Sequence, residues 1–207
     1  MRSKEKSTDI FFLRHGQTDF PIDRIYCDDK EDPSLNSNGI YQAKSAAILL
    51  KKEGLSAIYA SPAKRTLMTS QEVSEVTGLA VEVLPEWVER KFGIWEGLYF
   101  NEIEEKYPEE YSNWKRNHVS FTPDSGETIT DLRNRLSESL ERLILRHRGE
   151  KIAIITHVGP IRVSLCEALK IPIENYRQIR VDYASISRVD YGVTKNNLIK
   201  INQLNYE

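Results

Sequence analysis

The sequence predicts an α/β protein, a three-layer α/β/α sandwich around a mostly parallel central sheet. Three observations carry that expectation. Short runs rich in apolar residues recur at Ile10-Phe11-Phe12-Leu13, Ser56-Ala57-Ile58-Tyr59-Ala60 and Lys151-Ile152-Ala153-Ile154-Ile155-Thr156, as expected of strands buried on both faces. Between them lie segments whose apolar residues follow helical spacing. The connections are short, so strand and helix alternate in the way that builds parallel sheets.

Taken in order, Ile10 to Leu13 is the first strand and residues 1–9, polar and charged, a frayed tail. Asp19 to Asn38 carries Pro21 and Pro33 and reads as a long loop, a length that usually serves function. Asn36 or Ser37 can cap a helix through Ile40, Ala43, Ala47 and Leu50, which ends near Gly54. Ser61-Pro62 then offers a serine cap and a proline at the first position of a second helix, which stops at Gly78. Val81 to Leu84 is a third strand, and Pro85 to Leu98 a loop. Pro108 divides two short helices within Tyr99 to Asn117. Asp124 or Ser125 is placed to cap a long helix whose stripe Ile129, Leu132, Leu136, Leu140 and Leu143 faces a core. After the Lys151–Thr156 strand, a helix spans about Pro160 to Leu169. Alternation at Ile179-Val181-Tyr183, at Ile186-Arg188-Val189 and near Leu198–Ile201 predicts antiparallel strands.

Composition narrows the class. The 207 residues suit one domain, and apolar and charged fractions of 40% and 29% are those of an ordinary globular chain. A formal net charge of −2 gives no reason to expect nucleic acid or an anionic membrane as partner. Cys27 and Cys166 make no disulfide framework and no metal-ligand pair, which fits a reducing, cytoplasmic setting. No stretch has the apolar core of a signal peptide or the length of a membrane span. A homodimer through an edge strand or packed helices remains one expectation.

The chemistry lies at the strand ends. The first strand runs into Arg14-His15-Gly16, the second into Ser61-Pro62 with Arg65 soon after, and the last parallel strand into Thr156-His157-Val158-Gly159. The third leads to a loop bearing Glu86, Glu89 and Glu96. In an open parallel sheet these carboxyl ends share one edge, where ligands bind. A single arginine or histidine at a strand end is more often solvated. Two arginines and two histidines on converging strands, beside helix N-termini, suit a phosphoryl dianion. His118 and His147 lie in charged segments and read as solvated, as does the acidic run from Glu102 to Glu110.

Leu13-Arg14-His15-Gly16-Gln17-Thr18 resembles the signature of the histidine phosphatase superfamily, whose fold is phosphoglycerate mutase-like. Ser61-Pro62-Ala63-Lys64-Arg65-Thr66 resembles its second arginine motif, and Glu89 to Gly97 its acid-bearing loop. Gly126-Glu127 and Thr156-His157-Val158-Gly159 fit in order, so the resemblance spans about Ile10 to Ile201.

The resemblance implies a phosphomonoesterase acting on a small phosphorylated metabolite, with no cofactor and no metal. His15 would be the nucleophile and Glu89, rather than Glu86, the proton donor. Arg14, Arg65 and a protonated His157 would bind phosphoryl oxygens, with Gln17, Thr18 and the amide of Val158 as further donors. Tyr26 and Cys27 would border the substrate. Tyr26, Trp87, Trp114 and Tyr183 are candidate pocket walls. Phe20 or Pro21 stands where the family often has asparagine, and Tyr26-Cys27 replaces a common Gly-bearing step. The short, acidic Tyr99–Asp124 stretch favours a phosphatase over a cofactor-dependent mutase, the alternative. An inactive relative that only binds a phospho-ligand or a partner is a third reading, although His15 and Glu89 are both present.

Overall fold

The computed structural model describes residues 7–26 and 31–205. Six strands form one sheet in the order β3-β2-β4-β1-β5-β6: β1 (Thr8–Arg14), β2 (Ala57–Ala60), β3 (Val81–Val83), β4 (Lys151–Thr156), β5 (Ile186–Tyr191) and β6 (Asn196–Gln203). The first four are parallel neighbours, while β5 runs antiparallel to β1 and β6 to β5. The helices are α1 (Ser37–Lys51), α2 (Lys64–Thr77), α3 (Phe100–Lys106), α4 (Pro108–Arg116), α5 (Ile129–Arg146) and α6 (Val158–Leu169).

Strand periodicity builds the layers. Ile10, Phe12, Tyr59, Ile152 and Ile154 point to one face and pack with the α5 stripe and with Ile161 and Leu165 of α6. Phe11, Leu13, Ile58, Ala153 and Ile155 point to the other, against Ala46, Ala47 and Leu50 of α1 and Val73 of α2. Every second residue therefore serves the opposite layer, which is why these strands are apolar throughout. A satellite cluster of Ile25, Trp95, Ile103 and Trp114 closes under α3 and α4. No helix among the described residues is long and apolar enough to cross a membrane.

Several local expectations are corrected. Of the stretch 1–9, residues 1–6 lie outside the described residues, whereas Thr8 and Asp9 belong to β1: the Thr8 hydroxyl donates to the carbonyls of Ile144 and His147, and Asp9 pairs with Arg188 at 2.8 Å. Neither Ser61 nor Pro62 opens α2, whose N-cap is Ala63; Asp32 from the loop supplies the missing acceptor to Lys64 N at 2.8 Å. Thr128, not Asp124 or Ser125, caps α5, in a reciprocal capping box with Asp131. Residues 179–183 form no strand, because side chains take their backbone acceptors: Arg162 binds Ile179 O and Arg14 binds Val181 O. His147 is buried rather than solvated, between the Tyr59 hydroxyl at 2.7 Å and Glu150 at 2.7 Å. His118 is half-buried against Tyr176.

Candidate active site

The register of β1 and β4 sets the site. Arg14 lies opposite Thr156, and His15 N donates to Thr156 O at 3.0 Å. The next residues, His15 and His157, therefore leave the sheet side by side, with ring centroids 5.3 Å apart. The turn after β1 is close-packed: a Cβ at Gly16 would collide with the backbone of Gly39 in α1. Gly16 N is satisfied by Thr69 Oγ1 of α2 at 3.1 Å.

His15 is almost wholly buried. Its Nδ1 lies 2.8 Å from Gly16 O, an acceptor only, so Nδ1 carries the proton and Nε2 keeps its lone pair. Burial, then the Arg65 and Arg14 charges, hold its pKa well below the ordinary 6.5. The ring is neutral at physiological pH.

Arg65 is fully buried. Its guanidinium lies over the Tyr26 ring at 4.1 Å and donates to His157 Nδ1 at 3.1 Å, while Asp32 stands 3.7 Å away. Because Arg can only donate, His157 Nδ1 is the accepting nitrogen and Nε2–H faces the Ser61 hydroxyl at 2.8 Å. Burial, then Arg65 and His15, lower the His157 pKa well below 6.5. The expectation of a protonated His157 is thus corrected for the free protein: a dry site already holding two arginines has no room for a third cation. Arg14 donates to Val181 O at 2.8 Å and lies 3.8 Å over the Tyr183 ring. Its buried Nε has no partner among the described residues.

Glu89 faces these groups from the loop after β3. Its carboxylate accepts from Arg90 N at 2.8 Å and Gly159 N at 3.1 Å. Desolvation nevertheless outweighs those bonds and raises its pKa above the ordinary 4.5. The loop is braced from α5: Arg135 grips Glu127 at 2.7 Å and donates to the carbonyls of Val88 and Glu89, each at 3.1 Å. Thr156 Oγ1 ties Trp87 O to β4 at 2.6 Å. A Cβ at Gly159 would collide with Glu89 Oε1, so the carboxyl would have to turn aside. Gly159→Ala is therefore expected to lower kcat by about 10-fold or more by misplacing Glu89, a sensitivity typical of catalytic geometry. Steady-state kinetics with a melting curve to confirm folding would check this.

A cavity of about 400 Å³ opens from this cluster. Arg14, Tyr26, Glu89, Val158 and Tyr183 line it, as do Phe20 and Pro21, so the loop that departs from the family pattern borders the cavity. Thr18 reaches it through a 2.9 Å bond between its hydroxyl and Tyr26. Trp114 is a wall, whereas Trp87 is core, fully buried with its indole N–H on Ser139. Gln17 turns to Asn38 Nδ2 at 2.6 Å and is not part of the lining. Glu86 points away to Arg142. Cys27 lies outside the described residues. Among the described residues no group of three or more His, Cys, Asp or Glu is gathered to hold a metal ion. Sequence reasoning missed Arg162, Tyr176 and Arg177, which also line the cavity; of these only Arg162 had a signal, standing one helical turn after Val158 and so on its face of α6.

The family model of the histidine phosphatase superfamily (branch 1) matches residues 10–204. The chain belongs to that superfamily. It is similar to phosphoserine phosphatase 1 of Hydrogenobacter thermophilus, 30% identical over 194 residues, which cover 93% of this chain and 91% of that protein. The adenosylcobalamin/alpha-ribazole phosphatase of Escherichia coli is 26% identical over 181 residues, 87% of this chain and 89% of that one. A bifunctional protein of Mycobacterium tuberculosis is 32% identical, and the chain spans 55% of its length. Among solved structures, a mycobacterial glucosyl-3-phosphoglycerate phosphatase in complex with VO3 superposes with a TM-score of 0.82 at 27% identity, covering 94% of this chain and 98% of that one. The alpha-ribazole phosphatase of Shigella flexneri does so with 0.85 at 25% identity, covering 96% and 99%. As a member of this superfamily with phosphatases for relatives, the chain is a phosphatase.

Proposed function

We propose that this histidine phosphatase is a metal-independent phosphomonoesterase that works through a phosphohistidine on His15. The observation that carries the reading is the state of that ring: neutral, with Nδ1–H on Gly16 O, so that Nε2 keeps its lone pair, and with burial and the Arg65 and Arg14 charges opposing protonation. In the first step the Nε2 lone pair attacks phosphorus in line and the P–O ester bond breaks. Glu89, whose raised pKa lets it hold a proton, gives that proton to the leaving alkoxide. In the second step water attacks the phosphohistidine, Glu89 takes the water's proton, the N–P bond breaks and inorganic phosphate departs.

Arg14 and Arg65 supply positive charge beside the negative charge of the equatorial oxygens, the task that metal ions perform in other phosphoryl-transfer sites. A bound dianion would also offset the arginine field and favour the protonated form of His157. The amide of Val158, at the start of α6, adds a backbone donor. The substrate is a small phosphorylated metabolite, in keeping with relatives named for phosphoserine, α-ribazole and glucosyl-3-phosphoglycerate phosphatases. The test is hydrolysis of 4-nitrophenyl phosphate in excess chelator, with capture of phosphoprotein by quenching in alkaline detergent. Full activity and an acid-labile, base-stable phosphoryl group on His15 are expected. Strict dependence on an added divalent cation would overturn the mechanism.

A further inference from the structure

Outside the phosphoryl site the cavity carries cationic groups that this chemistry leaves unused. Five arginines line it, Arg14, Arg24, Arg90, Arg162 and Arg177, against the single carboxylate of Glu89. Three of them are committed. Arg14 belongs with His15, Arg24 is gripped by Glu31 at 2.6 Å, and Arg90 donates to the carbonyls of Glu127, His118 and Phe121.

Arg162 and Arg177 differ. Arg162, half-buried on α6, engages only Nε, which donates to Ile179 O at 2.8 Å. That bond orients the guanidinium and leaves its terminal nitrogens without an acceptor among the described residues. Arg177 is exposed and holds its guanidinium 5.1 Å from the centre of the Trp114 ring. No carboxylate pairs with either among the described residues. The two are close enough to repel: after burial, the largest cause, the charges of Arg14 and Arg177 lower the Arg162 pKa, opposed by Tyr176 and Glu89.

The half-buried Arg162 cation, beside the apolar wall of Phe92, Phe100 and Trp114, is costly when the cavity is empty, and an anion bound there relieves it, with the exposed Arg177 beside it adding attraction. We propose that Arg162 and Arg177 form a second anion subsite, which binds a carboxylate on the leaving group of the phosphomonoester. A carboxylate suits the place because its two planar oxygens match the free terminal nitrogens of Arg162. The subsite rests on the phosphomonoesterase reading above and names its substrate class: phosphate esters of small hydroxy acids or hydroxy-amino acids. Arg162 would grip the carboxylate bidentately, and Arg177, stacked on Trp114, would close over it.

Matched substrates isolate the carboxylate. O-phosphoserine is compared with O-phosphoethanolamine, and 3-phosphoglycerate with glycerol 3-phosphate, by kcat/KM under identical conditions. The carboxylated member of each pair is expected to be preferred on the order of 10- to 100-fold, the usual weight of hydrogen bonds to a charged group. Arg162→Met and Arg177→Met should each draw that ratio towards one, and Arg162→Lys should recover part of it. The ratio is taken within one protein preparation, so loss of folded enzyme cancels, and the exposed Arg177 tolerates replacement. Wild-type ratios near one, alongside rapid hydrolysis of 4-nitrophenyl phosphate, would overturn the subsite alone. Ratios unchanged in both methionine variants would do the same. Failure of the wild type to hydrolyse any of the five esters would overturn the phosphomonoesterase reading and the subsite with it.

Discussion

His15→Ala should lose phosphatase activity by about four orders of magnitude or more, as expected when a covalent nucleophile that acts in concert with its neighbours is removed. The loss belongs to chemistry and not to binding. Arg14 and Arg65 keep partners other than His15, namely Val181 O and Tyr183 for the first and His157 and Tyr26 for the second, so the variant should still take up inorganic phosphate or vanadate. A kcat collapse with an intact anion affinity, measured by calorimetry on the folded variant, is the expected pattern. Retention of a tenth of the wild-type rate would sink the phosphohistidine step.

How much of this was legible in the sequence depends on whether local pattern or distant packing decided each feature. Three of the parallel strands, β1, β2 and β4, were readable because both of their faces are buried, so their runs are apolar without help from context. The cluster of Arg14, His15, Arg65, Glu89 and His157 was readable because strand order puts carboxyl ends on one edge. The caps were not. Ser61 sits where a cap belongs in sequence, yet its hydroxyl answers His157, and Asp32, about thirty residues earlier, serves α2 in its place. Residues 179–183 alternate like a strand, but their carbonyls are claimed by Arg14 and Arg162 instead of a neighbouring strand. His147 looked solvated from its charged neighbours; its partner Tyr59 comes from a different strand of the sheet. The charge state of His157 was beyond composition for the same reason, since it follows from burial and from which atom of Arg65 it meets.

Glu89→Gln should separate the roles of acid and scaffold. The amide oxygen of Gln can still accept from Arg90 N and Gly159 N, so the loop that Arg135 braces keeps its place. What the variant cannot do is deliver a proton. For an alkyl phosphate, whose leaving alkoxide is strongly basic, the loss should be about 10²- to 10⁴-fold in kcat/KM, the range for general acid catalysis. For 4-nitrophenyl phosphate, whose phenolate leaves unaided, it should be much smaller. The pH profile carries the same signature. The His15 pKa is lowered from 6.5 and the Glu89 pKa raised from 4.5, so activity on an alkyl ester should rise as pH climbs through the first and fall as it climbs through the second. The optimum then lies between the two. In Glu89→Gln the basic limb should vanish while the acidic limb set by His15 stays. Equal losses on both esters, or a basic limb that survives the substitution, would show that the proton comes from another group and that Glu89 acts only to shape the loop.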